Sequence, residues 1–360
     1  MFSSKIAKIK NEKYLFKRQN QTATSKMDCE DPNKSSELVN TNKNKPFMFF
    51  TFLTIFLSLL FTSVFTLYLF LSHVSLDLRE DSYSLIQCNQ SQYDNMKNPN
   101  SKAVVSLMTQ DTADYTRYAQ ILGFSLRSTG KLSCEYDMIM IHSCRLKPET
   151  VQKLEFAQWK LLEINPIDFP HSPKQRPSHQ NRRYLKMFSK LHIFNLTQYE
   201  GLLYIDSDAV VVNPISDIIN QSISKLNPEL GFNLAWGLDS GKEVSSKYNA
   251  GVLILSPSQL VFEDLVNKIN ILEFDATLSE QAYLNKYYEN TSLSLPITMN
   301  VMPFCGAVTR SLWDSLQNQI HIIHFACLKP DAFGGIYRCW WSGHLPACRI
   351  WIKYVNFFQV

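Results

Sequence analysis

Charge is scarce in this chain, and the little it has is nearly balanced. Only 19% of the 360 residues are Asp, Glu, Lys or Arg, and the formal net charge is +4. Because 45% of the residues are hydrophobic, a chain that is disordered throughout is excluded. The weak net charge gives no indication of a nucleic-acid partner. No C-x-x-C pair occurs, which argues against a structural zinc site.

No charged residue occurs between Pro46 and Leu76, and this gap predicts a membrane anchor. Residues 47–72 exceed the about 20 apolar residues that span a bilayer, whereas a cleaved signal peptide, the alternative, has a shorter apolar core. Lysines crowd the N-terminal side and acidic residues begin the other, so the positive-inside rule places the N-terminus in the cytosol. We expect a type II protein with a disordered cytosolic tail at 1–46, a transmembrane helix at 47–72, a lumenal stem at 73–100 and one domain at 101–360.

On this topology, the exported side carries seven of the eight cysteines, where an oxidising lumen permits disulfides. They are Cys88, Cys134, Cys144, Cys305, Cys327, Cys339 and Cys348. An odd number leaves at least one unpaired. The crowding of the last three predicts a local bridge, but spacing does not give the connectivity.

Four N-glycosylation sequons lie on the same side, at Asn89, Asn195, Asn220 and Asn290. Asn195 falls in a stretch with the periodicity of a packed helix. We therefore expect glycosylation at Asn89 and Asn290 rather than at Asn195.

From Lys102 onward, short apolar runs alternate with helical periodicity, which is typical of an α/β domain with a largely parallel sheet. The predicted strands are AVVSLM, YDMIMI, LLEI, GLLYI and GVLIL. Helical stripes lie between them, one at Tyr118, Ile121, Leu122 and Leu126 and another at Met187, Leu191 and Phe194.

The predicted strand GLLYI runs directly into Asp206-Ser207-Asp208. Because side chains alternate along extended chain, Asp206 and Asp208 point to one side and Ser207 to the other. Two carboxylates at the carboxyl end of a buried strand are costly unless a cation neutralises them. A pair of solvated acids in a turn is the alternative, since D-x-D also arises by chance.

A second apolar segment, IIHF, places His324 at a strand, and Lys329 follows five residues later. A neutral imidazole beside the two acids gives a mixed nitrogen and oxygen ligand set, which suits Mn2+ better than calcium or magnesium. Lys329 is then a candidate for binding a diphosphate as a point charge. Taken alone, His324 is more often a satisfied core histidine.

Six segments between 102 and 331 resemble, in order, those of glycosyltransferase family 8, the glycogenin-like enzymes. They are AVVSLMTQD, YTRYAQILGFSLRSTG, FSKLHIFNLTQYEGLLYIDSDAVVVNPISDI, YNAGVLILSPS, SEQAYLNKYY and IIHFACLKP. The resemblance implies a GT-A fold, an α/β domain with a mixed, mainly parallel sheet. It also implies retaining, metal-dependent transfer from a nucleotide sugar, mostly a UDP-sugar.

Carried over by position, Asp206 and Asp208 resemble the metal ligands of the family's D-x-D motif, and His324 resembles the third ligand. Lys329 resembles the phosphate-contacting lysine of the closing H-F-x-x-x-K-P motif. Lys190, in FSKL, resembles a lysine near the donor phosphates. Its alternative role is a solvated helix residue.

The donor sugar and nucleoside have further matching positions. Asn249, in YNAGV, stands where the family has the asparagine of its F-N-S-G-V segment. A turn formed by Asn249 to Gly251 is the alternative. Glu280 and Gln281 stand at the D-Q pair and are candidates for positioning the sugar. Thr109 and Gln110 resemble the loop that holds the nucleoside.

Several positions depart from the family pattern or match it weakly. Glu280 replaces the usual aspartate, Asp331 stands where many members have tryptophan, and no glycine lies between His324 and Lys329. Arg182 and Arg183 are weak candidates for binding phosphate or an acidic sugar, with a surface basic patch as the default.

The sequence thus predicts a transferase that moves a hexose or hexuronic acid from a UDP-sugar to a glycan, glycoprotein or glycolipid. The expected location is the Golgi or another secretory-pathway membrane. A catalytically inactive lumenal sugar-binding or scaffold protein with the same fold is the alternative.

Overall fold

The structure is a computed structural model that describes residues 56–63, 88, 101–168, 179–231, 233–238, 248–303, 310–329 and 345–358. Two compact units divide the chain, 1–69 and 70–360. In the first, residues 56–63 form a helix whose side chains are exposed. Among the described residues, no helix combines the length and the apolar character that crossing a membrane requires. The predicted tail, most of the predicted anchor, and the stem apart from Cys88 lie outside the described residues.

The second unit contains a seven-stranded sheet. The strands before the acidic pair are β1 (Lys102–Met108), β2 (Tyr136–His142), β3 (Lys160–Glu163) and β4 (Gly201–Ile205). After it come β5 (Ala209–Val211), β6 (Leu234–Leu238), β7 (Tyr248–Leu255), β8 (Leu293–Ser294) and β9 (Ile322–His324).

Strand order in the large sheet is β3-β2-β1-β4-β7-β6-β8, and β5 and β9 form a separate two-stranded sheet. Within the large sheet four strand pairs are parallel and two, both involving β7, are antiparallel. The prediction of a mixed, mainly parallel α/β sheet is confirmed. All five predicted strands are present as β1, β2, β3, β4 and β7.

Seven α-helices are described around these strands. They are α1 (Ala113–Ser128), α2 (Pro148–Phe156), α3 (Ser216–Ile223), α4 (Gln259–Lys268), α5 (Ser279–Tyr287), α6 (Arg310–Leu316) and α7 (Leu345–Phe358). Thr112 begins α1 by accepting a hydrogen bond from the Tyr115 backbone N–H at 3.3 Å. Short 3-10 helices occupy Pro228–Leu230, Ala276–Leu278 and Ile297–Met299, and a long one occupies His179–Asn195.

Successive side chains along each strand point to opposite faces of the sheet, so a hydrophobic core forms on each face. Val104 and Leu203 pack with Leu122 and Leu126 of α1 on one face. Their neighbours Val105 and Leu202 pack on the other face with the predicted stripe residues Leu191 and Phe194. The other two residues of the first predicted stripe, Tyr118 and Ile121, pack in a third cluster, and Met187 of the second stripe is half-buried. Residues 179–195 form a 3-10 helix rather than an α-helix.

The cysteines show both bridged and free states. Cys88 is bonded to Cys134, and Cys327 and Cys348 are each in a disulfide. Cys144 is a free thiol. Cys339, the third residue of the predicted local bridge, lies outside the described residues.

Candidate metal and donor site

The strand order brings the candidate residues to one edge of the sheet. Since β1 and β4 are parallel, both end there, followed by Thr109 and Asp206. The antiparallel β7 begins at the same edge, and the Asp206 backbone N–H donates to the Gly251 carbonyl at 2.8 Å. Asn249 therefore lies in a strand, and its interpretation as part of a turn is wrong.

The small sheet places His324 beside the acidic pair. β5 begins directly after Asp208, and Ala209 pairs with His324 of β9. The Phe325 backbone N–H also donates to the Asp208 carbonyl at 2.9 Å. Residues 116 positions apart in the chain are thereby fixed next to each other.

Asp206, Asp208 and His324 each direct one ligand atom to a common point, and these atoms lie within 4.8 Å of one another. His324 Nε2 is 3.1 Å from Asp208 Oδ1 and 3.8 Å from Asp206 Oδ2. A cation with bonds of about 2.2 Å and octahedral geometry holds neighbouring ligands roughly 3.1 Å apart. The spacing of these residues therefore fits a divalent cation.

The second oxygen of each acid is bound by other side chains. Asp206 Oδ1 accepts from the Tyr204 hydroxyl at 2.6 Å and lies 3.3 Å from Lys190 Nζ. Asp208 Oδ2 accepts from Lys329 Nζ. Because one oxygen of each carboxylate is already held, each acid presents a single oxygen to the cation position.

Nearby charges keep the Asp208 carboxyl ionised, and burial together with a nearby charge keeps the Tyr204 hydroxyl protonated. Burial would raise the pKa of Asp208, but Lys329 and His324 outweigh burial and hold the pKa of this carboxyl well below its ordinary value. Burial and then the charge of Asp206 raise the pKa of Tyr204 well above its ordinary value, so its hydroxyl keeps the proton that it donates.

Lys190 lies behind the acids rather than in the cleft. Its side chain is 1% exposed, and Nζ is 2.8 Å from Glu280 Oε1. Nζ also lies 3.0 Å from the Ala250 carbonyl, in addition to its contact with Asp206. Burial alone would lower the pKa of Lys190, but the charges of Asp206 and Glu280 outweigh it and raise the pKa. Since an ammonium has three donors, Lys190 is positioned to hold these carboxylates, and it is not among the residues that line the cleft described below. Its expected place near the donor phosphates stays a prediction.

A cleft of about 270 Å³ opens beside the three ligand atoms. Its walls include Thr109, Tyr118, Asp206, Ser207, Asp208, Asn249, Glu280, Gln281, His324 and Lys329. Gln110 is exposed and is not among the residues that line this cleft. The side chains of Arg182 and Arg183, and all of Asp331, lie outside the described residues.

Three contributors to the site were not found from the sequence. Tyr204 and Asn300 hold Asp206 and His324 through hydrogen bonds. Gly251 makes room for the imidazole, because a Cβ there would lie 2.2 Å from His324 Cε1. Tyr204 could have been found from the sequence, because it lies two positions before Asp206 in the same strand and so shares its side of the sheet. The sequence around Asn300 contains no comparable indication that it contacts His324.

This α/β domain carries two acids and a histidine that are close enough together to hold a divalent cation at the edge of a cleft. Residues 84–330 match the model of glycosyl transferase family 8, and the chain belongs to this family of glycosyltransferases. The family prediction is confirmed, and the α/β sheet described above is a GT-A-like fold.

Among curated proteins, the chain is 28% identical over 186 residues to inositol phosphorylceramide glucuronosyltransferase 1 of Arabidopsis thaliana, covering 52% of this chain and 30% of that protein. It is 28% identical to the putative UDP-glucuronate:xylan alpha-glucuronosyltransferase 5 of the same plant, covering 63% and 36%. Galactinol synthase 6, also from Arabidopsis thaliana, is 25% identical, covering 49% and 58%. The alignments thus span about a third of the length of the two glucuronosyltransferases.

Among solved structures, the glycosyltransferase GlyE of Streptococcus pneumoniae TIGR4 in its apo form is similar at 19% identity and a TM-score of 0.47, covering 72% of this chain and 63% of GlyE. The galactosyltransferase LgtC is similar at 14% identity and a TM-score of 0.46, covering 69% and 95%.

Proposed function

We propose that this protein is a retaining, Mn2+-dependent glycosyltransferase that moves a hexose or hexuronic acid from a UDP-sugar to an acceptor. The observation that carries the proposal is the convergence of Asp206, Asp208 and His324 within 4.8 Å beside the cleft. The acceptor class we propose is a glycan, glycoprotein or glycolipid.

A divalent cation, when bound there, neutralises charge on the departing nucleoside diphosphate. Lys329 lines the cleft and pairs with Asp208, and we assign its ammonium to binding a phosphate of the donor as a point charge. Thr109 follows β1 and lines the cleft, and we assign it to contact with the nucleoside. Asn249, Glu280 and Gln281 form the wall that would position the sugar.

The first donor to test is UDP-glucuronic acid, because two similar plant proteins carry glucuronosyltransferase names. UDP-glucose, UDP-galactose and UDP-N-acetylglucosamine complete the panel. We expect one of these donors to be hydrolysed or transferred by the full-length chain in detergent with Mn2+, and chelation to stop the reaction.

Asp208→Asn is the decisive variant, because it removes one anionic ligand with little change of shape. A metal supplies several kcal/mol of charge stabilisation, and a loss of about 2.7 kcal/mol corresponds to a hundredfold decrease in rate. Asp114→Asn is the matched control, because Asp114 is exposed and pairs with Arg117 on α1. If no donor in the panel is turned over by the wild type, the protein is a sugar-binding or scaffold member of the family instead.

For location, we propose a single-pass type II protein of the Golgi or another secretory-pathway membrane. The apolar helix at 56–63 is exposed, with Phe61 71% accessible. Disulfides at Cys88, Cys134, Cys327 and Cys348 are compatible with an oxidising lumen. Both observations support this placement of the domain.

A further inference from the structure

A continuous chain of hydrogen bonds links His324 to Gln281 across three elements. His324 Nδ1 lies 3.0 Å from Asn300 Oδ1, and Asn300 Nδ2 donates to Asn249 Oδ1 at 3.2 Å. Asn249 Nδ2 in turn donates to Gln281 Oε1 at 2.9 Å. The chain thus begins at a candidate metal ligand and ends at a residue that lines the cleft.

Backbone N–H groups of β7 determine the direction of this chain. The Ala250 N–H donates to Gln281 Oε1 at 3.1 Å, and the Gly251 N–H donates to Asn249 Oδ1 at 2.9 Å. A backbone N–H can only donate, so it identifies the oxygen end of each side-chain amide. With Asn249 Oδ1 facing Asn300, the Asn300 NH2 must donate to it.

The orientation of the Asn300 amide determines which nitrogen of the His324 imidazole carries a proton. Once the Asn300 NH2 faces Asn249, its oxygen faces His324, so Nδ1 must carry a proton and donate it. Nε2 is then the nitrogen left for the cation position, 3.1 Å from Asp208 Oδ1. The backbone of β7 thereby selects, through two amides, which nitrogen of His324 can bind a metal.

The fold holds Asn300 and His324 in this arrangement and keeps water away from them. Each is 2% exposed. The His324 backbone N–H donates to the Val301 carbonyl at 2.8 Å, which fixes the residue after Asn300 beside β9. Gly237 makes room for Asn300, because a Cβ there would lie 2.6 Å from the Asn300 Cβ.

We infer that Asn300 is a positioning residue that presents Nε2 of His324 to the cation and aligns Asn249 and Gln281 along the donor-sugar wall. This inference rests on the metal site of the proposed function, and it adds a residue that touches neither the cation nor the donor. The two roles of Asn300, orienting His324 and aligning Asn249, can be tested separately. Its side-chain oxygen faces His324, and its side-chain nitrogen faces Asn249.

Two substitutions separate these two roles. Asn300→Leu removes both hydrogen bonds, and loss of such an outer contact weakens metal binding by about 10-fold to 100-fold. Asn300→Asp keeps an acceptor for the Nδ1 proton but puts an oxygen against Asn249 Oδ1. We expect Asn300→Asp to lose less than the about tenfold in Mn2+ affinity that removal of the contact costs. We also expect it to lose donor turnover, because Asn249 and Gln281 are no longer aligned.

The measurements are Mn2+ affinity by titration of the full-length chain, and the Nδ1-bound proton of His324 by NMR of metal-free protein labelled with 15N-histidine. Its resonance is assigned by its disappearance in His324→Asn. We expect this proton in the wild type and in Asn300→Asp and its loss in Asn300→Leu. Thermal unfolding confirms that each variant is folded.

Wild-type Mn2+ affinity in folded Asn300→Leu would overturn the inference, and so would equal loss of metal affinity in both variants. If the wild type binds no Mn2+, the proposed function fails, and the NMR measurement decides the inference by itself. A His324 Nδ1 proton that depends on Asn300 then supports the arrangement, and an Nδ1 without a proton overturns it.

Discussion

Lys190 and Glu280 form an ion pair that water barely reaches, since their side chains are 1% and 6% exposed. The family resemblance drew attention to both residues but suggested roles at the donor. The extra methylene that distinguishes Glu280 from the usual aspartate is used here to reach Lys190 at 2.8 Å. Lys190 then braces Asp206 from behind, at 3.3 Å.

We predict that Lys190→Met destabilises the protein strongly. The substitution leaves Glu280 buried without its cation, and removal of one partner from a buried ion pair costs about 3 to 5 kcal/mol. Chemical denaturation of the metal-free protein would show the loss as a lower midpoint.

Lys268→Met provides the comparison, because Lys268 and Asp264 form a pair in which both side chains are 43% exposed. Such surface pairs contribute up to about 1 kcal/mol. Equal effects of the two substitutions would show that the Lys190 pair is not stabilising the site.

Sequence reasoning identified the three residues that converge at the site, but not the residues that hold them in place. Asp206 and Asp208 are separated by one residue after an apolar run, so their shared direction follows from strand geometry alone. Asn300 is 24 residues from His324 and 51 from Asn249, and its contacts exist only after the sheet forms. No local pattern encodes contacts at that separation.

The strands differ in how far sequence predicts them. β1 and β4 are almost wholly apolar because both faces of the sheet are covered. Such apolar runs are what made these two strands predictable from the sequence. β8 is only two residues long and pairs with β6 through Ala235 and Trp236, so it has too little length to show a period. Burial of Leu191 and Phe194 was predicted from their spacing. Spacing did not predict that residues 179–195, which contact α4 and α5, form a 3-10 helix.

Gly251 allows a test of how closely β7 packs against His324. An added Cβ would lie 2.2 Å from His324 Cε1 and 2.8 Å from Nδ1, so Gly251→Ala must displace the ring or the strand. Because β7 also holds Asn249, we expect Mn2+ affinity to fall by about tenfold or more. Titration with Mn2+ measures this directly.

Gly231→Ala separates this effect from general destabilisation. Gly231 has φ of +81° and nothing within 4 Å of an added Cβ. Alanine there is strained by about 1 kcal/mol but lies outside the residues that form the cleft. We expect lower stability with unchanged Mn2+ affinity, whereas unchanged affinity in Gly251→Ala would contradict the close packing of His324 on β7.

For the molecule as a whole, the family match covers 84–330, and the segments on either side of it carry the proposals about topology. Within the matched range, the structure changes one expectation that bears on glycosylation. Asn195 was expected to be packed, but it is the last residue of a 3-10 helix and is exposed. Helical periodicity predicted burial for the stripe and could not predict where the helix ends.

A lumenal domain should acquire a glycan at Asn290, which is exposed at the turn that follows α5. We predict that the full-length chain made with microsomes migrates more slowly than the unmodified chain and that a glycosidase reverses the shift. Asn290→Gln should remove one glycan increment, because the acceptor amide is lost.

Asn270→Gln is the matched control, since Asn270 is exposed but is not part of a sequon. The same microsomes test orientation: protease added outside should remove the N-terminal lysine-rich tail and leave the domain intact until detergent opens the membrane. Lysine-rich segments next to an apolar helix stay on the cytosolic side. A domain that is degraded without detergent, together with an unmodified Asn290, would reverse the proposed orientation while leaving the cation site at Asp206, Asp208 and His324 untouched.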